Sequence, residues 1–148
     1  MLIETLYFGP MEVEPEKLIL FPWGLPGFEE YKRFILLEEE GFLWLQSADS
    51  SEVVFALCDP FLYFRNYEID IPTADCGSLA IIDHENVIVL SMMNVLSPTE
   101  IGVNLLAPLV INCQLRMGKQ VILENSAYRV RHILQLDNHP EDAGVPAF

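Results

Sequence analysis

The stretch Ile101–Leu123, IGVNLLAPLVINCQLRMGKQVIL, does most to limit what this chain can fold into. Its central part, Leu105–Ile111, is a continuous apolar run. It is far short of the roughly 20 residues that span a membrane and is β-branched at its end, so it reads as a buried strand. Pro108 has no N–H to give a sheet ladder and therefore belongs at a bulge, an edge or a gap in pairing. Asn112 and Gly118 then bracket a polar connection, and Gln120–Leu123 returns as a second apolar strand, which predicts a hairpin with a loop of moderate length. The charge pattern pivots here too: Arg116 and Lys119 are the first cations after Arg65.

The rest of the chain is a succession of short apolar segments punctuated by turn residues. Leu2–Phe8 reads as a strand, Gly9-Pro10 as a turn and Met11–Val13 as a short return strand. Glu12, Glu14 and Glu16 fall on alternate positions, which on an extended chain sends three carboxylates to one side and protects a sheet edge. After the apolar Leu18–Phe21 comes PWGLPGFEE, Pro22–Glu30, where two prolines and two glycines fix an ordered pair of turns around Trp23, Leu25 and Phe28. Side chains so apolar either plug the open end of a barrel or present an aromatic anchor to a partner.

Tyr31–Glu38 and Phe42–Gln46 predict two strands joined at an acidic tip, Glu38–Gly41, and Val53–Cys58 predicts another that Asp59-Pro60 breaks. Tyr67–Ile71, YEIDI, alternates cleanly and puts Glu68 and Asp70 on one face. Thr73–Ile82 has room for a short helix despite Gly77, Asn86–Val95 reads as a central strand, and Tyr128–His132 as the last one. Short strands spaced by turn signals in this number predict a mainly β chain: a single antiparallel β-barrel-like domain over 1–136 with one or two short helices. A flexible C-terminal tail is expected over 137–148.

With 148 residues, 51% of them hydrophobic, the chain has the size of one domain and can bury about two thirds of the surface it exposes unfolded. Its 22 acids against 8 bases give a net charge of −14. That disfavours direct binding to nucleic acid or anionic lipid, both of which are held by neutralising phosphate. A basic partner is the natural complement; an acidic coat that merely keeps a hydrophobic domain in solution is the plainer reading. Three cysteines without CxxC spacing suit a reducing cytoplasm better than a disulfide framework or a zinc ribbon. MLIETLYF has no basic region ahead of an apolar one, so no secretory leader is expected there, and the expected location is the cytoplasm.

Signatures of catalysis are sparse. The chain has no P-loop, no GxGxxG and no GxSxG elbow. Asp83-His84-Glu85 are neighbours whose side chains would diverge on a strand, and His132 and His139 with Asp137 and Glu141 are ordinary tail composition, so neither metal nor cofactor is expected. Cys58-Asp59 has no histidine placed to activate the thiol. Carboxylates are plentiful but lie in runs and on alternate positions, whereas a catalytic pair needs burial to split its pKa values. A non-enzymatic protein is expected.

Taken together, several stretches resemble the FliW family of bacterial flagellar assembly factors. They are an N-terminal strand ending YFG, FPWGLPGFE at Phe21–Glu29, WLQS at Trp44–Ser47, DPFLYF at Asp59–Phe64 and NLLAPLVIN at Asn104–Asn112. GKQVIL at Gly118–Leu123 and Tyr128 with Arg131-His132 complete the set. The resemblance covers all but the C-terminal tail; the chain departs from the pattern there and at Cys113–Met117, CQLRM, where a proline-containing turn is more usual. It implies a protein-binding regulator. Such proteins bind the small dimeric RNA-binding repressor CsrA and stop it silencing flagellin messenger RNA. They also bind new flagellin in the manner of a chaperone, so that free flagellin withdraws the antagonist and shuts off its own synthesis. The implied partners are thus a CsrA-type translational repressor and flagellin, with no direct nucleic acid and no membrane. A chain of net charge −14 would be steered to a basic RNA-binding surface, with salt dependence.

On that reading, side chains near the Pro22–Glu30 loop and the Asp59–Asp70 segment form the partner surface: Trp23, Glu29, Tyr63, Glu68 and Asp70. The competing reading puts the aromatics in the core and leaves the acids only to solubilise. Two further classes stay open. A small-molecule-binding barrel needs an internal cavity with convergent polar groups, and a hydrolase needs a buried carboxylate or thiolate cluster in a cleft.

Overall fold

A computed structural model of the chain describes residues 1–39, 41–124 and 127–136. Glu40 of the predicted acidic tip and the tail predicted over 137–148, with His139 and Glu141, lie outside the described residues. The strands are β1 (Leu2–Thr5), β2 (Gly9–Glu12), β3 (Ile19–Leu20), β4 (Arg33–Glu39), β5 (Phe42–Ser47) and β6 (Val54–Cys58), then β7 (Val87–Ser97), β8 (Glu100–Val103), β9 (Leu109–Asn112), β10 (Met117–Gln120) and β11 (His132–Gln135). Two short α-helices, α1 (Pro60–Tyr63) and α2 (Thr73–Ser78), lie between β6 and β7.

β1 and β2 make a hairpin of their own, and the other strands form one sheet in the order β11-β8-β7-β6-β5-β4-β3-β10-β9. Because β9 pairs back onto β7, the sheet closes into a barrel, while β8 and β11 continue past it as a flap on the long β7. The antiparallel, barrel-like fold expected from the sequence forms, with one parallel seam where Met117 of β10 meets Leu20 of β3.

Strand alternation sorts the side chains. In β4, Phe34 points into the barrel and Ile35 outward, where it packs under the β1–β2 hairpin with Ile3 and Val13. Phe21, Phe34, Leu45, Leu57, Leu109 and Ile111 fill the barrel, and Phe21 meets Phe34 edge-on at 5.4 Å between ring centroids. A Cβ on Gly118 would lie 2.6 Å from the Phe21 ring, so β10 needs glycine where this ring seats on the backbone. A second core, holding Cys58, Tyr67, Leu79, Ile101, Val103 and Val110, forms on the other face of the same strands, against α2 and the flap.

Several local expectations shift. Leu105–Ile111 is not one unbroken strand. β8 ends with Val103 opposite Met93, β9 starts with Leu109 opposite Leu90, and after Asn104, whose N–H still donates to the Met92 carbonyl at 3.0 Å, the residues between leave the β7 ladder. Pro108 sits in that gap, as its missing N–H requires. β8 takes β11 on its other edge and β9 takes β10, so the gap is where the sheet divides between barrel and flap. The returning strand is Met117–Gln120 rather than Gln120–Leu123. Beyond it, Val121 and Leu123 still donate their N–H groups to the carbonyls of Pro108 and Leu106, at 2.9 and 2.8 Å. Gly9-Pro10 opens β2, and the turn falls just before it, where the Thr5 hydroxyl accepts the Phe8 N–H. The last strand is His132–Gln135 rather than Tyr128–His132.

Candidate functional site

The Pro22–Glu30 loop turns part of its apolar content into the core and leaves part of it exposed. Leu25 is buried in the barrel core, the plug, and Phe28 packs edge-on against Phe55 at 5.2 Å. Gly24 makes the inward bend: its φ is +69, and a Cβ there would lie 2.6 Å from the Glu29 Cα. Trp23 stays 47% exposed, with the Lys119 ammonium 4.9 Å from its ring centre; the same ammonium pairs with Asp75 of α2 at 2.6 Å. Glu29 serves its own loop. Its carboxylate accepts the Gly27 N–H at 3.0 Å, and backbone amides hold its pKa below the usual carboxylate value.

Asp59-Pro60 ends β6 and starts α1. The Asp59 carboxylate accepts the Phe61 N–H at 3.0 Å, and Pro60 takes a first-turn place where its missing N–H costs nothing. After the helix the chain is tied down by Tyr67, whose hydroxyl donates to the Leu105 carbonyl at 2.8 Å and whose ring stands 4.8 Å from that of Tyr128. Burial pushes the Tyr67 phenol well above its ordinary pKa. The Glu68 N–H in turn donates to the Tyr128 hydroxyl at 2.9 Å. YEIDI therefore keeps the alternation its sequence predicts although it pairs with no strand among the described residues. Tyr67, Ile69 and Ile71 pack inward, and Glu68 and Asp70 face out.

Of the five residues picked from the sequence, Glu68 and Asp70 come together on one cleft. Tyr63 lies behind them, half-buried in the second core, its phenol raised chiefly by burial. Trp23 is linked to α2 through Lys119, which stands over its ring and pairs with Asp75, and Glu29 is taken up in its own turn. Three concavities run side by side through shared walls. A 340 Å³ cleft is lined by Glu68, Ile69, Asp70, Leu123 and Glu124. Asp70 and Ile69 continue into a 460 Å³ groove whose far wall is Phe61, Val87 and Val89. Those three also line a 360 Å³ cavity with Leu36, Leu43 and Asp59. Sequence reasoning missed the apolar half of this channel, because Leu36, Leu43, Val87 and Val89 look like any strand residues; only the Asp-Pro break hinted that β6 would stop short.

Chemically the channel offers the carboxylates of Glu68, Asp70 and Glu124 at one end and, apart from Asp59, apolar side chains at the other. Among the described residues no group of three His, Cys, Asp or Glu is placed to hold a metal ion. Burial pushes the Cys58 thiol up to about 12, far from a reactive thiolate at neutral pH. No helix among the described residues is long and apolar enough to cross a membrane.

Fold and site define a mainly β, barrel-like protein with a side-chain core inside the barrel and a channel beside it. A family model described as FliW protein matches residues 2–134. The chain is 38% identical over 136 residues to the flagellar assembly factor FliW of Bacillus subtilis (strain 168), covering 89% of this chain and 95% of that protein. It is 42% identical over 135 residues to that of Anoxybacillus flavithermus (strain DSM 21510 / WK1), covering 89% and 93%. A crystal structure of the flagellar assembly factor FliW matches with a TM-score of 0.83 at 37% identity, over 89% of this chain and 95% of that one. The chain belongs to the FliW family.

Proposed function

We propose that this protein is a cytoplasmic, non-enzymatic flagellar assembly factor that works by binding other proteins. It holds a CsrA-type translational repressor away from flagellin messenger RNA, and it binds flagellin, which competes for it. The observation that supports this most is the Tyr67 anchor, which sets Glu68 and Asp70 outward beside an apolar groove on a chain of net charge −14. An RNA-binding repressor carries a basic face, and carboxylates held in place on an acidic domain attract such a face over distance and sort it from acidic partners.

The test is titration calorimetry of the purified protein against flagellin monomer and, separately, against the CsrA-type repressor of the same cell. Binding to both is expected, with flagellin displacing the repressor and with repressor affinity falling as salt rises. The double variant Glu68→Lys, Asp70→Lys should weaken repressor binding. Folded proteins that do not bind at all would refute the proposal.

A further inference from the structure

β6 stops at Cys58, which pairs with Ser91, because Asp59-Pro60 turns the chain into α1. β7 begins earlier, at Val87, and over Val87–Leu90 it pairs with β9 on its other edge. Among the described residues no strand pairs with the β6-side edge of Val87–Leu90. The 360 Å³ cavity lies at this place: its walls include Val87, Ile88, Val89 and Leu90 in succession, together with Leu36 and Leu43 from the β4–β5 hairpin. Successive strand side chains point to opposite faces, and here Leu90 joins the barrel core while Val89 packs against the second core. A cavity touched by four consecutive strand residues therefore runs along the edge of the strand, where backbone N–H and C=O groups point, rather than over either face. It is the position a longer β6 would fill.

We propose that an extended segment of a partner protein docks here by adding a strand to the Val87–Leu90 edge. Its apolar side chains enter beside Leu36, Leu43 and Phe61, and its cationic residues reach Asp70 and Glu68. The proposal rests on the reading of this chain as a protein-binding module. The groups on offer select an extended occupant, since a helix has already satisfied its own backbone, whereas this edge of β7 is paired by no strand among the described residues. Charge selects a foreign, cation-bearing one: a second copy of this chain would bring further negative charge to the carboxylates of Asp70, Glu68 and Glu124 that line the adjoining cleft.

The probe is a synthetic peptide of alternating valine and threonine ending in two arginines. It is compared with the same peptide N-methylated throughout the repeat and with a third in which glutamine replaces arginine. Backbone amides of the full-length, isotope-labelled protein are followed by NMR. The arginine peptide should bind in the range of about 10–500 μM and slow exchange at alternate amides of Val87–Leu90. The methylated peptide, which keeps its charges but cannot pair its backbone, should bind at least about tenfold more weakly. In a folded Asp70→Lys protein the arginine peptide should lose about tenfold in affinity and the glutamine peptide nothing. Absence of binding up to about 1 mM overturns the proposal. So does equal binding of the methylated peptide, or a response confined to Glu68, Asp70 and Glu124. Strand addition by the peptide, with neither natural partner binding in calorimetry, would keep this site and remove the partners named above; the reverse pair of results would keep the partners and remove the site.

Discussion

Tyr67→Phe deletes one oxygen from the anchor that fixes the Glu68–Asp70 segment. The side chain is 4% exposed, and its hydroxyl donates to the buried Leu105 carbonyl at 2.8 Å. The Leu105 N–H is bonded elsewhere, to the Arg129 carbonyl, so the loss falls on the carbonyl alone. The ring and its contact with Tyr128 remain, so no cavity term enters. What is lost is a hydrogen bond plus the cost of leaving a buried acceptor without its donor, about 1–3 kcal/mol. In a chain of this length that lowers the melting temperature by about 2–4 °C per kcal/mol. Urea unfolding should show a lower midpoint with an unchanged slope, since the exposed area does not change. Tyr128→Phe is the control: it removes the acceptor of an N–H on the exposed Glu68, which water can satisfy, so its cost should be smaller. A melting temperature within 1 °C of the parent for Tyr67→Phe (about the resolution of the method), or a larger cost for Tyr128→Phe, would refute the assignment of Tyr67 as the anchor.

Other substitutions test the remaining parts. Gly24 and Gly27 share a loop and both have positive φ, +69 and +83, but only at Gly24 would a Cβ strike the backbone of Glu29. Gly27→Ala should cost about 1–2 kcal/mol and Gly24→Ala clearly more; equal costs in denaturant titration would contradict the packing described. Intact protein treated with iodoacetamide at pH 8, a value about four units below the Cys58 pKa, should be modified at Cys76 and Cys113 well before Cys58, as read by peptide mass spectrometry. Early labelling of Cys58 would count against its burial.

The pH response should pass through His132. Its Nε2 accepts the Arg129 N–H at 2.9 Å, and burial, then Arg129, lowers its pKa from 6.5. A histidine held neutral in the fold contributes its stability in full above the unfolded pKa and loses it as pH falls through the folded one. The melting temperature should therefore drop between about pH 7 and pH 5, and His132→Gln should flatten that drop. Parallel curves for the two proteins would dismiss it.

Much of the architecture was legible where a single residue forces the backbone. Pro108 required a gap in the ladder and has one; Asp59-Pro60 required a break and starts a helix; the YEIDI alternation separates Tyr67 from Glu68 and Asp70. What stayed hidden depends on pairings between distant segments. Gln120–Leu123 looks more like a strand than Met117–Gln120, yet the Phe21 ring needs Gly118 beside it, and the ladder is set there. The candidate site divided the same way. Glu68 and Asp70 could be chosen from alternation, whereas the use of Glu29 by its own turn depends on the positive φ of Gly27 two residues before it, whose N–H its carboxylate accepts. The apolar wall could not be seen at all, since it exists only because β6 is shorter than the β7 it accompanies.

The parallel seam between Leu20 and Met117 joins segments from near the two ends of the chain. Every other barrel pairing except that of β9 with β7 links strands that follow one another in sequence. As the polypeptide leaves the ribosome, β3 to β7 can thus zip into an open, curved sheet early, but its β3 rim and the Val87–Leu90 part of its β7 rim await β10 and β9. The long-range contact makes closure the slow, late event, and for that interval the nascent protein presents two sticky margins. A shortened product lacking the last strands would remain in that condition permanently, as a sheet in need of a neighbour.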